Sequence, residues 1–307
     1  MSEWTKRDMP SQAGRLAIVT GANSGVGFEA AKALAERGAE VILAVRRPDA
    51  GQAAAERIRA AAPEAVVRVE PLDLASQVSV AAFADRRLRE GRPIDILLNN
   101  AGVMAIPRRR LSPDGHELQM ATNYLGHFAL TARLSPLLTA GRARTVQLSS
   151  VAHRWVRPDW SDLNAERGYK AWEVYGRTKL AMLMFALELD RRSRGDGWGV
   201  TSVAAHPGFA RTELIANGPA RRPGGRAVSG LIHLATGLVS HSAESGARPL
   251  LMAATTDTTG GAYFGPHRMR EHRGPPGPAQ IEPYAEDAAS ARALWEATER
   301  LLDLRFS

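Results

Sequence analysis

Tyr175 and Lys179 stand four residues apart, the spacing that stacks two side chains on one face of a helix. A lysine charge beside a phenol stabilises the phenolate of a group whose ordinary pKa is about 10. A tyrosine so poised donates or accepts protons. The pattern Tyr-Gly-Arg-Thr-Lys is short enough to arise by chance, so its meaning depends on what accompanies it.

Residues 16–20, LAIVT, read as a buried first strand, and Gly21, Ala22, Asn23, Ser24, Gly25, Val26 and Gly27 follow before a helix. There Gly21 suits a tight turn, Gly25 lets the backbone approach a pyrophosphate and Gly27 permits close packing, while the helix N-terminus favours negative charge. An ordinary strand-to-helix turn is the alternative. Placed after the first strand of a βαβ unit, the segment reads as a dinucleotide cradle built from Gly21, Asn23, Ser24, Gly25, Val26 and Gly27. The second strand ends at Val45, where an NAD-binding chain usually has Asp or Glu for the ribose 2′-hydroxyl. Here Arg46 and Arg47 follow instead; paired with a 2′-phosphate they would favour NADP(H) over NAD(H), and otherwise they are exposed surface charges. Asp73, with Leu74 beside it, follows strand three and is placed to receive the adenine amino group. Asn100, Ala101 and Gly102 follow strand four and form a tight turn beside the cofactor.

Apolar runs at 16–20, 41–45, 66–69, 94–98, 145–148 and 200–204 alternate with segments of helical spacing at 25–37, 49–61 and 76–90. Such alternation predicts parallel βαβ units in a doubly wound α/β sheet, a Rossmann fold, with helices on both faces. With 307 residues, 44% of them hydrophobic, and no linker or repeat, a single domain is expected: a cofactor-binding and catalytic core over 14–215, then a substrate loop and C-terminal elements over 216–307. Residues 217–230 and 267–283 read as loops, and 285–302 as a final amphipathic helix. There are no cysteines, which excludes disulfides, thiolate metal sites and cysteine nucleophiles. The start lacks the apolar core of a signal peptide and no run of about 18 apolar residues occurs, so a cytoplasmic protein without membrane insertion is expected. The net charge of +8 comes mostly from scattered arginine. Short clusters at 108–110 and 221–226 have no interleaved aromatic residues, so a solvated face is favoured over a nucleic-acid surface.

These motifs, with Asn99-Asn100-Ala101-Gly102, Ser149-Ser150, Tyr175 to Lys179, and Pro207-Gly208 followed by Thr212, resemble in order those of the short-chain dehydrogenase/reductase family. The resemblance spans nearly the whole chain. The passages TNYLGHF at 122–128 and SSVAH at 149–153 are most similar to its retinol dehydrogenase-like branch. It implies an oxidoreductase that moves hydride between a nicotinamide and a small-molecule carbonyl or alcohol, with Tyr175 as acid/base. Lys179 would bond the nicotinamide ribose and, with the charge of the oxidised ring, lower the tyrosine pKa. Ser150 would donate to the substrate oxygen, and Asn123 would hold a water linking Lys179 to solvent. Thr212, with Pro207 and Gly208, would meet the nicotinamide carboxamide. Ser149 is expected to be structural. His127, His153 and His206 are expected in hydrogen-bonded structural roles, and no metal is expected.

Between Ser150 and Tyr175 lie 24 residues, more than in most of the family, and they include Trp155, Trp160 and Trp172. These could wall an apolar substrate pocket or anchor an insertion. NADP(H) with carbonyl reduction as the working direction, and a homodimer or homotetramer paired through a helix near 170–191, complete the expectation. A non-catalytic NADP-binding regulator of the same fold, and a same-fold enzyme that reduces a carbon double bond or dehydrates, are the alternatives. The intact set Asn123, Ser150, Tyr175 and Lys179 argues against the regulator.

Overall fold

The computed structural model describes residues 3–208 and 242–306; Thr212 and the segments expected as a loop at 217–230 and a basic cluster at 221–226 lie outside them. Eight strands form one sheet in the order β3-β2-β1-β4-β5-β6-β7-β8. The first six are β1 (Leu16–Thr20), β2 (Glu40–Val45), β3 (Val67–Pro71), β4 (Ile96–Asn99), β5 (Arg144–Leu148) and β6 (Thr201–Ala205), each within two residues of its expected bounds. All pair in parallel.

Every residue of β1 and of β4 is buried, as continuous apolar runs between two helical layers must be. Alternate residues serve opposite faces. Ala17 and Val19 join one core with Phe28, Leu34, Ala54, Leu250 and Leu251, while Leu16 and Ile18 join another with Phe83, Leu130 and Leu137. The helices on the first face are α1 (Gly25–Glu36), α2 (Pro48–Ala61) and α8 (Ala243–Thr255). The second face carries α3 (Gln77–Glu90), α5 (Gly126–Arg133), α6 (Ser135–Ala140), the 26-residue α7 (Ala171–Asp196) and the C-terminal α9 (Ala288–Leu302). A short turn, α4 (Leu118–Met120), runs directly into a π-helical turn, Ala121–Leu125, and then into α5.

Aromatic rings lock α9 onto α5 and α7. Phe128 lies 4.9 Å from Trp295 and 5.3 Å from Phe185, centroid to centroid, and Trp295 lies 4.7 Å from Phe306.

The region 267–283 is not a loop. It holds most of an antiparallel hairpin, β7 (Tyr263–Arg268) and β8 (Arg273–Pro278), that extends the sheet beyond β6. Its Gly and Pro content reads as turn, but β8 is the edge strand, where a proline without an N–H is tolerated. The final helix starts at Ala288, capped by the Asp287 carboxylate on the Ala289 and Ser290 amides, after a 3₁₀ turn at Pro283–Ala285.

Phe128→Ala should lower unfolding stability by roughly 3–5 kcal/mol, the usual cost of deleting a fully buried ring, read from a denaturant titration. A loss below about 1 kcal/mol would mean that α9 does not close this core.

Candidate active site

Apart from Asn123, Tyr175 and Lys179, which lie in helices, the described site residues follow the C-terminal ends of parallel strands, so they gather on one edge of the sheet, the usual ligand edge of this topology. After β1, Gly21 adopts φ +66° and its Cβ position lies 2.9 Å from Ala101 Cβ, so a side chain is excluded there twice over. Gly25 opens α1 at φ +59°. A Cβ at Gly27 would sit 2.7 Å from the Gly21 carbonyl and press on the Asn100 amide. Ser24, the N-cap of α1, makes no side-chain cap bond, so the first amides of that helix keep donors for an anion. Asn23, Ser24 and Gly25 are half-buried and Val26 is buried beneath them.

The turn after β4 is clamped to this cradle. Thr20 Oγ1 accepts the Asn100 and Ala101 amides, each at 2.9 Å, and Asn100 Nδ2 donates to the Thr20 carbonyl at 2.7 Å. After β2, Arg46 and Arg47 are exposed, and neither side chain is paired among the described residues. After β3, Asp73 Oδ1 accepts the Ala75 amide at 3.0 Å, while Leu74 is buried. After β6, Pro207 and Gly208 are half-buried, with Gly208 at φ +68°.

At the centre, Tyr175 and Lys179 lie on α7, 8% and 4% exposed, with Nζ 5.8 Å from the phenol ring centroid. Ser150 follows β5 as N-cap of a 3₁₀ turn, Val151–Trp155, its Oγ accepting the Ala152 amide at 3.2 Å, and its hydroxyl is near enough to Tyr175 to lower that phenol's pKa. The glycine inside Tyr-Gly-Arg-Thr-Lys makes this approach possible. A Cβ at Gly176 would sit 2.9 Å from the Ala152 carbonyl and 3.1 Å from Val156 Cγ1.

Asn123 lies in the π-helical turn, a distortion common at functional sites. Its Oδ1 accepts the Val103 amide at 2.7 Å, and its Nδ2 donates to the Val103 carbonyl and to Thr178 Oγ1, each at 2.9 Å. Both Nδ2 protons are therefore committed, which leaves the second lone pair of Oδ1 and the main-chain carbonyl as its remaining acceptors. That carbonyl already accepts His127 Nδ1 at 2.8 Å, while His127 Nε2 lies 2.9 Å from Thr20 Oγ1. Burial drives His127 down to about 3, so the ring is neutral, with its proton on Nδ1. A single buried chain thus runs from the cradle through His127 to Asn123. The TNYLGHF passage contained this histidine, but nothing in its spacing announced Thr20 as partner.

Ser149 Oγ donates to the Lys179 carbonyl at 2.8 Å and is structural, as expected. His153 Nδ1 donates to the Ser150 carbonyl at 2.6 Å. The tryptophans divide. Trp160 is half-buried and bonds Ser290 Oγ at 3.0 Å, which makes it an anchor. Trp155 and Trp172 are 59% and 45% exposed, lie 5.9 Å apart, and Trp172 meets the Tyr175 ring edge-on at 6.1 Å.

The lowering of the Tyr175 pKa expected from Lys179 is not what the protein's own groups produce. Burial pushes the phenol up to about 12, against the lowering influence of the nearby Ser150 hydroxyl. Lys179, itself depressed to about 7 by burial, turns its ammonium to the Leu148 carbonyl at 2.8 Å. A lysine whose folded pKa lies below its unfolded 10.5 costs stability in full below about pH 7, and that cost fades as pH rises toward 10.5. Lys179→Met should therefore raise the denaturation midpoint most at and below neutral pH, with a gain that shrinks toward alkaline pH. No gain at about pH 6 would show that the Leu148 carbonyl offsets the burial completely.

A model of the short chain dehydrogenase family matches residues 15–222. Mouse retinol dehydrogenase 13 is 40% identical over 306 residues, covering 96% of this chain and 86% of that protein. A probable oxidoreductase of Streptomyces antibioticus is 45% identical over 203 residues, 66% of each chain. Among solved structures, an uncharacterized protein from Mycobacterium paratuberculosis superposes with a TM-score of 0.81 at 38% identity over the whole of both chains. An NADP complex of Pseudomonas aeruginosa RhlG gives 0.64 at 25% identity, covering 82% of this chain and 94% of that one. With the motifs in order on one sheet edge, the chain belongs to the short-chain dehydrogenase/reductase family, in its retinol dehydrogenase-like branch, and is an oxidoreductase that uses a nicotinamide cofactor.

Proposed function

We propose that the protein uses NADP(H) to interconvert a carbonyl and an alcohol on an apolar substrate, with Tyr175 as the acid/base. The observation that carries this reading is the buried Tyr175 beside Ser150, with Lys179 one helical turn further along α7. The cofactor's adenosine and phosphates would lie along Gly21 to Gly27, Arg46, Asp73 and Leu74, and its nicotinamide half near Asn100 to Gly102, Tyr175, Lys179, Pro207, Gly208 and Thr212. The side-chain-free backbone at Gly21 and Gly27 fits a group that must approach closely. When bound, the nicotinamide supplies the hydride for reduction or takes it in oxidation.

In the reducing direction, Ser150 Oγ donates to the substrate oxygen and polarises the carbonyl. Tyr175 gives its proton to that oxygen as negative charge develops there, which leaves a phenolate. Lys179 then faces an anion rather than a neutral phenol, so its ammonium form and the phenolate favour each other. Asn123 keeps the Val103 backbone and Thr178 fixed beside Lys179. The exposed Trp155 and Trp172 rings supply apolar surface next to the reacting atoms, and this supports an apolar substrate. Two unpaired arginines after β2 support NADP(H), as does the 25% identical RhlG captured with NADP. Cells usually keep this cofactor reduced, which favours carbonyl reduction. A homodimer or homotetramer paired through α7 and a cytoplasmic location belong to the same reading.

Tyr175→Phe should abolish NADPH oxidation with aldehydes and ketones yet leave NADPH binding within about twofold. Substantial remaining turnover would remove Tyr175 from the acid/base role. Arg46→Ala should weaken NADPH by about tenfold, the loss of one charge-assisted hydrogen bond, and leave NADH unchanged. Equal weakening of both would sink the 2′-phosphate assignment.

A further inference from the structure

The hairpin between β7 and β8 holds three successive residues, Met269, Arg270 and Glu271, at φ +51°, +54° and +65°. Left-handed backbone is unfavourable for any residue with a Cβ, and it persists only where the surroundings enforce it. Here it turns the Glu271 carboxylate inward. Oε1 accepts the Gln280 amide at 2.9 Å, and Oε2 accepts Arg154 Nη2 at 2.6 Å and His206 Nε2 at 3.1 Å.

Both side-chain partners sit on segments that carry the reaction. Arg154 belongs to the 3₁₀ turn capped by Ser150. His206 immediately precedes Pro207 and Gly208 and is fully buried. Its Nδ1 accepts the Gly208 amide at 3.2 Å, so Nε2 carries the proton and donates to Glu271. The ring also fills the space that a Cβ at Gly265 on β7 would need, which leaves His206 little freedom to turn. Burial would raise the Glu271 pKa, but the bonds from His206 and the Gln280 amide and the charge of Arg154 outweigh it and hold the carboxyl well below the usual range. The carboxylate is thus a permanent acceptor.

We propose that Glu271 is a positioning residue that acts through His206 to hold the Pro207–Gly208 turn in the shape that receives the nicotinamide half of the cofactor, and through Arg154 to steady the turn bearing Ser150. The inference rests on the cofactor placement given above. It makes the β7–β8 hairpin, remote from the glycine cradle, part of the binding machinery.

The test compares NADPH with adenosine 2′,5′-bisphosphate, which carries the adenine and 2′-phosphate but no nicotinamide, on the full chain by calorimetry. Glu271→Gln cannot accept all three donors. It should weaken NADPH by about tenfold, the loss of one hydrogen bond to a charged group, lower kcat, and leave the bisphosphate unchanged. His206→Asn keeps an acceptor near the Gly208 amide but cannot reach Glu271. It should reproduce the selective loss, and it carries the test if Glu271→Gln fails to fold. The double variant should be no worse than either single one, since both break one link. Equal weakening of the two probes, or no change in either, overturns the proposal while the cofactor reading stands. Wild-type protein that binds neither probe overturns the cofactor reading, and this proposal with it.

Discussion

Strands that run the same way can be joined only by crossovers, and that constraint organises the rest of this molecule. Six consecutive strands pair in parallel, so each must return across a face of the sheet before the next begins, and every strand ends on the same edge. The cradle after β1, the arginines after β2, the Asn100 turn after β4, Ser150 after β5 and His206 to Gly208 after β6 are neighbours for this reason alone. Tyr175 and Lys179 are the exception, since they come from the first turns of α7. They join the edge because Gly176 allows α7 to close on the Ser150 turn to a distance that any side chain would prevent.

Gathering polar groups at a buried edge has a cost that the local hydrogen bonds must offset. Thr20, Asn99, Asn123, His127, Thr131 and Gln147 are all fully buried, and each has a partner. Asn99 Nδ2 donates to Thr131 and Gln147, and Thr20, His127 and Asn123 form their own chain. Asn99 Oδ1 and Gln147 Nε2 are left without a partner among the described residues, but the bonds that are made resist movement, because shifting one member strands the others in a medium of low dielectric. Tyr175 and Lys179 lie at its border and are less fully paired. Burial raises one pKa and lowers the other, so each group is biased toward its neutral form. Moving the phenol proton to the amine within this site therefore costs more than it would between the free groups, whose ordinary pKa values nearly match.

The features legible in the sequence were those whose partners lie close along the chain. The glycine turn, the Tyr175–Lys179 pair and the six parallel strands depend on local spacing and apolar runs, and the bounds of those strands come within two residues of expectation. What escaped depends on contacts across long separations: His127 with Thr20, 107 residues apart, Glu271 with His206, 65 apart, and Arg154 with Glu271, 117 apart. The hairpin at β7 and β8 was hidden for a different reason. Its strands are rich in Gly and Pro, the residues that mark turns elsewhere, and only its position at the sheet edge allows them. The tryptophans could not be apportioned either, because Trp160, Trp155 and Trp172 differ in exposure rather than in spacing.

The hairpin also shows how an edge strand becomes useful. A sheet that stopped at β6 would leave that strand's outer hydrogen-bonding groups open and His206 without a wall. β7 closes the edge, with the His206 amide donating to the Phe264 carbonyl at 2.8 Å, and Gly265 leaves room for the imidazole. β8 then returns antiparallel, and the tight connection between the two strands directs Glu271 back over the ring. The three left-handed residues are of order 1–2 kcal/mol unfavourable apiece, and the bonds that the Glu271 carboxylate accepts, two of them charge-assisted or nearly so, are worth a comparable amount each. A strained turn so nearly balanced by the bonds its own carboxylate accepts holds its shape only while those partners stay in place. The geometry of the hairpin and that of the turn after β6 therefore depend on each other.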